Sequence, residues 1–143
     1  MAQAIKSVDV YAVDIMNRPG TLARVLEALA AGGANLDFVI ARQVNDNTSR
    51  VFVAPLKGAK QLRAAADVGL TKARGMYAIR VTGPDKAGLG AAITRGISAA
   101  GINIRGLSSG SIAKKNVCYI AFSSAGDAKR AAGAIKKAMR RKA

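Results

Sequence analysis

The sequence contains no histidine and no tryptophan, a single cysteine, and six aromatic residues among 143. Without histidine, the commonest proton shuttle and the commonest metal ligand are both missing. A Ser-His or Cys-His nucleophile pair is impossible for the same reason. One cysteine, Cys118, rules out an intrachain disulfide and a cysteine-rich metal site. The eight acidic residues are scattered, and no pair has the spacing of a metal or glycosidase arrangement. Catalysis, a resident metal and a cofactor are therefore not expected. No apolar run approaches the roughly 18 residues that a membrane span needs. The opening "MAQAIKSVDV" lacks the hydrophobic centre of a secretory signal, so the expected compartment is the cytoplasm.

Hydrophobic residues make up 50% of the chain, which marks it as a folded rather than a disordered sequence. Charge is lopsided. Residues 1–75 carry ten Lys or Arg against six acids, a net +4, and residues 76–143 carry thirteen against two, a net +11. Anionic partners fit such a balance.

The chain also repeats itself. "NRPGTLARVLEALAAGGANLDFV", from Asn17, returns as "DKAGLGAAITRGISAAGINIRGL", from Asp85. Gly20 matches Gly88, Asn35 matches Asn103 and Gly58 matches Gly126, all at an offset of 68, with no insertion or deletion needed between these anchors. Two small units follow, 1–74 and 75–143, each near the lower size limit for burying its own core.

Each unit reads in the same order. In "MYAIRVT", Tyr77, Ile79 and Val81 alternate with Arg80 and Thr82 as in a half-buried strand, and the offset assigns Tyr11 and Val13 to the core side of "VDVYAVDI". Val8 and Val10 then face elsewhere, toward a partner surface. A glycine-containing turn and a helix come next. Leu22, Val25, Leu26 and Leu29 form one apolar stripe, and Leu89, Ala92, Ile93, Ile97 and Ala100 form its counterpart. Gly32-Gly33 and Gly101 sit where a helix ends in a left-handed residue. Strands over Leu36–Gln43 and Arg50–Ala54 flank "NDNTS", and strands over Ile104–Ser109 and Val117–Phe122 flank "GSIAKKN". A helix starting near Gly58 or Gly126 closes each unit, and "GLTKA" can add a last strand to the first. The order predicts an α+β fold of two ferredoxin-like βαββαβ units, antiparallel sheets with helices on one face. The second unit lacks a last strand of its own. Its open edge is expected to be filled by Ala2–Ser7 or by another subunit.

"NRPGTL" after a strand, then a helix, then "GANL", resembles the ACT domain, a regulatory module that binds small ligands. "DKAGLG" and "GINI" are similar to it too, with Ala87 where the family has Pro. The likeness spans about residues 8–73 and 76–139. It implies side-by-side units holding amino acids between the turn of one and the strand start of its neighbour. Asn17, Arg18, Pro19, Gly20, Thr21 and Leu22 would then face Asn103, and Asp85, Lys86, Gly88 and Leu89 would face Asn35, within or between chains.

Physics gives these positions two readings each. Unpaired N–H groups at a helix start favour a carboxylate, and glycine lets a ligand approach the backbone; Gly20 and Gly88 equally serve a tight turn alone. Asn35 and Asn103 offer an amide to a ligand or cap their own turns. Arg18 and Lys86 can hold a carboxylate or remain solvated, and Asp85 can attract an amino group or cap a helix.

Nucleic acid is the rival partner, because the same topology serves RNA-recognition modules. Lys129, Arg130, Lys136, Lys137, Arg140, Arg141 and Lys142 line the last helix, with Lys129, Lys136 and Arg140 on one side. Those modules read bases with stacked aromatics, which this chain lacks. "SSGS" with Lys114-Lys115 does not match a phosphate-cradling loop and reads as a mobile hairpin tip. Cys118 reads as a small buried hydrophobe. The expectation is a non-catalytic, tandem ACT-like protein with no attached enzyme, dimeric, binding a small amino acid or similar metabolite and relaying that state to a regulated enzyme. The alternative is an adaptor that holds protein or nucleic acid through the basic last helix.

Overall fold

A computed structural model describes residues 4–141 and divides them into two compact units, residues 9–74 and a second made of residues 4–8 with 75–141. The first unit runs β2 (Tyr11–Met16), α1 (Thr21–Ala31), β3 (Phe38–Asn45), β4 (Thr48–Ala54), α2 (Gly58–Asp67) and β5 (Thr71–Lys72), following β1 (Ala4–Val8) in the chain. The second runs β6 (Tyr77–Pro84), α3 (Leu89–Ala99), β7 (Gly106–Ile112), β8 (Lys115–Phe122) and α4 (Ala125–Arg141). Their antiparallel four-stranded sheets have the orders β3-β4-β2-β5 and β1-β6-β8-β7. These are the expected ferredoxin-like α+β units.

The open edge of the second unit is filled by the chain's own beginning. β1 pairs antiparallel with β6 over its whole length, Ala4 opposite Thr82 through Val8 opposite Ala78. It stands where β5 stands beside β2 in the first unit. Of the segment expected there, Ala2 and Gln3 lie outside the described residues. The strand expected over Val8–Ile15 is accordingly two strands, broken at Asp9 and Val10, and residues 4–8 group with 75–141 rather than with the unit that follows them. Val10 is 4% exposed, so it is a core residue and not a partner surface. Its carbonyl accepts the Ala73 N–H at 2.9 Å.

The apolar stripes do what their spacing implies. Val25 and Leu29 of α1 are buried with Val51, Val53, Ala65 and Leu70, and Tyr11, Val13, Leu22 and Leu26 pack against them. Ile93 and Ile97 of α3 join Ile79, Val81, Ile120, Phe122, Ala131 and Ile135 in the other core, and Ile5 of β1 packs on it. Cys118 is buried there, and burial pushes its thiol pKa up. Tyr77 differs from expectation. It opposes the buried Phe122 on the core side but begins its strand, beyond the helices' cover, and is 45% exposed.

The repeat is not gap-free. Val13 opposes Val51 and Val81 opposes Cys118, so the offset falls from 68 on β2 and β6 to 67 on β4 and β8. The extra residue is Val44, bulged from β3 where its pairing slips between Gln43 and Asn45. β7 has no bulge and turns through Ala113 and Lys114, with φ of 51° and 67°. Both hairpins reach further than expected, and the supposed tip "GSIAKKN" is mostly ladder. At the helix ends, Gly33 and Gly101 take positive φ, while Gly32 is right-handed.

Two predictions follow from this packing. Removing residues 1–8 bares the β6 edge and strips Ile5 from the core. The five lost cross-strand pairs correspond to about 1–5 kcal/mol, read as an earlier denaturant midpoint, with association of the exposed edge in sedimentation. A Cβ at Gly96 of α3 would sit 3.0 Å from the Ala138 Cβ of α4, whereas one at Gly133 would meet nothing within 4 Å. Gly96→Val is therefore expected to destabilise by about 1–3 kcal/mol, and Gly133→Ala to stabilise by about 0.5–1 kcal/mol.

Candidate ligand-binding turns

Two strand-to-helix turns repeat the same backbone. Gly20 and Gly88, with φ of 90° and 83°, are the residues before α1 and α3, and neither helix has a side-chain cap at its start. Only glycine adopts this left-handed conformation at little cost. Beyond each glycine the helix opens in the same way. Thr21 N–H donates to the Arg18 carbonyl at 3.3 Å and Arg24 N–H to that of Gly20 at 3.0 Å. Leu89 N–H donates to Lys86 at 3.2 Å and Ala92 N–H to Gly88 at 2.9 Å. The N–H groups between them, on Leu22 and Ala23 and on Gly90 and Ala91, have no acceptor among the described residues. A Cβ at Gly20 or Gly88 would meet nothing within 4 Å. Each turn thus exposes two helix-start donors in open space, where the dipole favours an anion.

The surroundings of the two turns differ. At the first, Asn17 N–H donates to the Asn47 carbonyl at 2.8 Å, and its Nδ2 to the Asp46 carbonyl at 3.2 Å, which ties the turn to the β3–β4 hairpin. Thr21 Oγ1 lies 2.7 Å from the Met16 carbonyl and 2.9 Å from that of Arg18, so its hydroxyl closes the turn. Pro19 fixes the backbone between them, and Arg18 folds back, Nη2 to Met16 Sδ at 2.8 Å. Leu22 is half-buried and packs on the core.

At the second turn, Asp85 N–H donates to the Lys114 carbonyl at 2.8 Å, and its Oδ1 accepts from Ser111 Oγ at 3.0 Å. Asn116 Nδ2 reaches Ser111 Oγ at 2.9 Å and Ser109 Oγ at 3.0 Å. This network was not expected. Its signal in the sequence is alternation, since Ser109 and Ser111 share a strand face opposite Asn116 once the hairpin is only two residues long. Asp85 acts as neither cap nor free carboxylate. Lys86 is exposed, and Leu89 packs against its core.

Asn35 and Asn103 are exposed in the loops that precede β3 and β7, not at the strand starts expected for them. β3 runs parallel to β2, since each is antiparallel to β4, so Asn35 lies at the opposite end of its unit from Gly20. The eleven residues of α1 put about 16 Å between the two ends. The same holds for Gly88 and Asn103 across α3. A turn and an asparagine of one unit therefore cannot share a small ligand.

Asp14, two residues before the first turn's strand ends, pairs with Arg50 through Nε to Oδ1 at 2.7 Å and Nη2 to Oδ2 at 3.1 Å. The hydrogen bonds from Arg50 hold its carboxyl below the usual pKa, and the guanidinium's is raised in return.

Compared with known proteins, no protein-family model matches the chain, and no curated protein does. Solved structures do match. Protein BT0572 from Bacteroides thetaiotaomicron is 18% identical over 93% of this chain and 89% of that one, with a TM-score of 0.78. The regulatory subunit of aspartate kinase from Thermus thermophilus is 19% identical over 95% of each chain, with a TM-score of 0.68. The aspartate kinase of Clostridium acetobutylicum matches 96% of this chain with 34% of its own, at a TM-score of 0.64 and 16% identity. The tandem ACT-type fold expected from the turns is the fold the chain has.

The Asp14–Arg50 pair yields a pH prediction. A depressed folded pKa means that the pair stabilises above the unfolded value, about 3.9, and that this stability is lost as pH falls through the folded value. Asp14→Asn is expected to lower the denaturant midpoint slightly at pH 7, the pair being exposed, and the difference from the parent to vanish toward pH 2.

Proposed function

We propose that this chain is a non-catalytic regulatory module that binds a small amino acid or related metabolite at its strand-to-helix turns and passes the bound state to a partner protein. The observation that carries this reading is the duplicated left-handed glycine turn, with two acceptor-free N–H groups and open space before it. A ligand carboxylate suits those donors. The likeness in fold to aspartate kinase regulatory subunits supports the regulatory half of the reading. No charged side chain in either turn is arranged as a nucleophile with its base, and the chain has no histidine.

In this reading Asn17, Arg18, Pro19, Gly20, Thr21 and Leu22 form one half-site and Asp85, Lys86, Gly88 and Leu89 another. Asn35 or Asn103 of a neighbouring ACT-like unit completes each, in a homodimer. Ligand that touches two units favours the arrangement in which both halves are assembled, and a regulated enzyme reads that arrangement.

The test is thermal unfolding against the twenty amino acids, with Gly20→Asn as the control. Asparagine enters the left-handed region at a cost of about 1 kcal/mol and places its amide where the ligand would lie. One or two amino acids at about 100 times their dissociation constant are expected to stabilise the parent by roughly 2.7 kcal/mol, a shift of several degrees, and the variant, with one of its two turns blocked, by less. A response to none of the twenty, or an equal response in the folded variant, removes the turn as the site.

A further inference from the structure

We propose that the outer face of α3 and α4 is a docking surface for the phosphate backbone of duplex DNA, a function separate from ligand binding at the turns. The unit that contains these helices carries fourteen Lys or Arg against two acids, while the other carries nine against six. Both units have the same fold, so the fold does not require the excess. α2 has ten residues and mixes Lys60 and Arg63 with Asp67, whereas α4 has seventeen and its one acid, Asp127, is paired with Arg130 at 3.1 Å.

Five of these fourteen cations stand together on the outer side of α3 and α4. Ala128, Ala131 and Ile135 turn α4 toward the core. Lys129, Lys136, Lys137 and Arg140 are exposed on the opposite side by helical phase, and none is in an ion pair among the described residues. On α3, Arg95 is exposed on the side away from Ile93 and Ile97. Close packing of Gly96 on Ala138 holds the two helices together as a rigid base for these cations. Arg130 does not belong to the surface, because its Nη2 donates to the Ala100 carbonyl at 2.8 Å and caps α3. Lys142 and the side chain of Arg141 lie outside the described residues.

What the face lacks selects its occupant. Between its cations stands Gly133, with no aromatic or aliphatic side chain. A protein interface needs apolar or aromatic anchors at its centre. A helix lying on a bilayer needs an apolar face to bury. Unpaired bases need aromatics to stack on. A row of exposed cations about 16 Å long from Lys129 to Arg140 needs none of these to meet a regular array of phosphates, and B-form DNA carries one charge per roughly 1.7 Å of axis.

The test is fluorescence anisotropy of the full chain with a labelled 20-base-pair DNA duplex over a salt series. Five engaged side chains give log K against log salt a slope of about −4.5. Lys129→Gln/Lys136→Gln/Arg140→Gln is expected to make that slope shallower by about 2.7 and to melt like the parent, its changes being exposed. Lys60→Gln/Arg63→Gln on α2 is expected to leave the slope unchanged. The proposal is overturned if the duplex does not bind, if the folded triple variant binds with the parent's slope, or if anionic vesicles or polyglutamate bind the chain and the duplex does not.

Discussion

The constraint on which the second unit depends is the pairing of β1 with β6. A strand in the middle of a four-stranded sheet needs partners on both sides, because each bare backbone group of an edge is a site for unwanted pairing. In the first unit the chain meets that need locally, with α2 ending at Val68 and the chain returning as β5 beside β2. In the second, β8 flanks one side of β6, and the other is taken by the first strand of the chain. α4 therefore need not supply a strand for that edge. It runs seventeen residues, and its added length carries cations that a compact αβ connection would have no room for. One five-residue strand thus closes the edge of a sheet and adds Ile5 to its core.

The turns follow from a different requirement. A strand that ends on one side of a sheet and a helix that starts above it must reverse direction within about four residues, and a left-handed glycine does so without a side chain in the way. The same geometry leaves the helix start uncapped. Elsewhere side chains cap several helix ends. Ser124 Oγ accepts the Asp127 N–H at 3.0 Å at the start of α4, and Gln61 and Arg130 bond the carbonyls of Gly33 and Ala100 past the ends of α1 and α3. α2 also starts without a side-chain cap, so what directs attention to a ligand is the same left-handed turn and the same acceptor-free N–H pair repeated at two equivalent helix starts.

Much of this was legible in the sequence because it rests on short-range regularities. The helical stripes, the strand alternation at Ile79 and Val81, and the 68-residue offset as far as β3 and β7 all concern residues a few positions apart or a repeat of them. The failures concern long-range pairing. Nothing local distinguishes Val8 from Val10, one in a strand paired with β6 and the other buried in the break. The bulge at Val44 hides because both hairpins close through a two-residue turn and only the first carries an extra residue within its strand. The Asp85–Ser111–Asn116 network depends on that difference, so it too escapes a reading of composition. Asn35 was legible as lying across α1 from its own turn, and the sheet order agrees.

The charge on α4 has a cost that the fold itself must meet. Lys136 and Arg140 stand four residues apart on one helix face, where like charges repel by a few tenths of a kcal/mol, and a strongly one-signed unit repels itself as a whole. Against this, α4 buries Ala131 and Ile135 at 0% exposure and draws α3 close through Gly96. Burial of an aliphatic side chain of that size contributes about 1.5–3 kcal/mol, several times the repulsion of any one pair. The core therefore holds the helix in place whether or not an anion is present, and the cations stay on a surface that gains energy only when phosphates or other anions approach it.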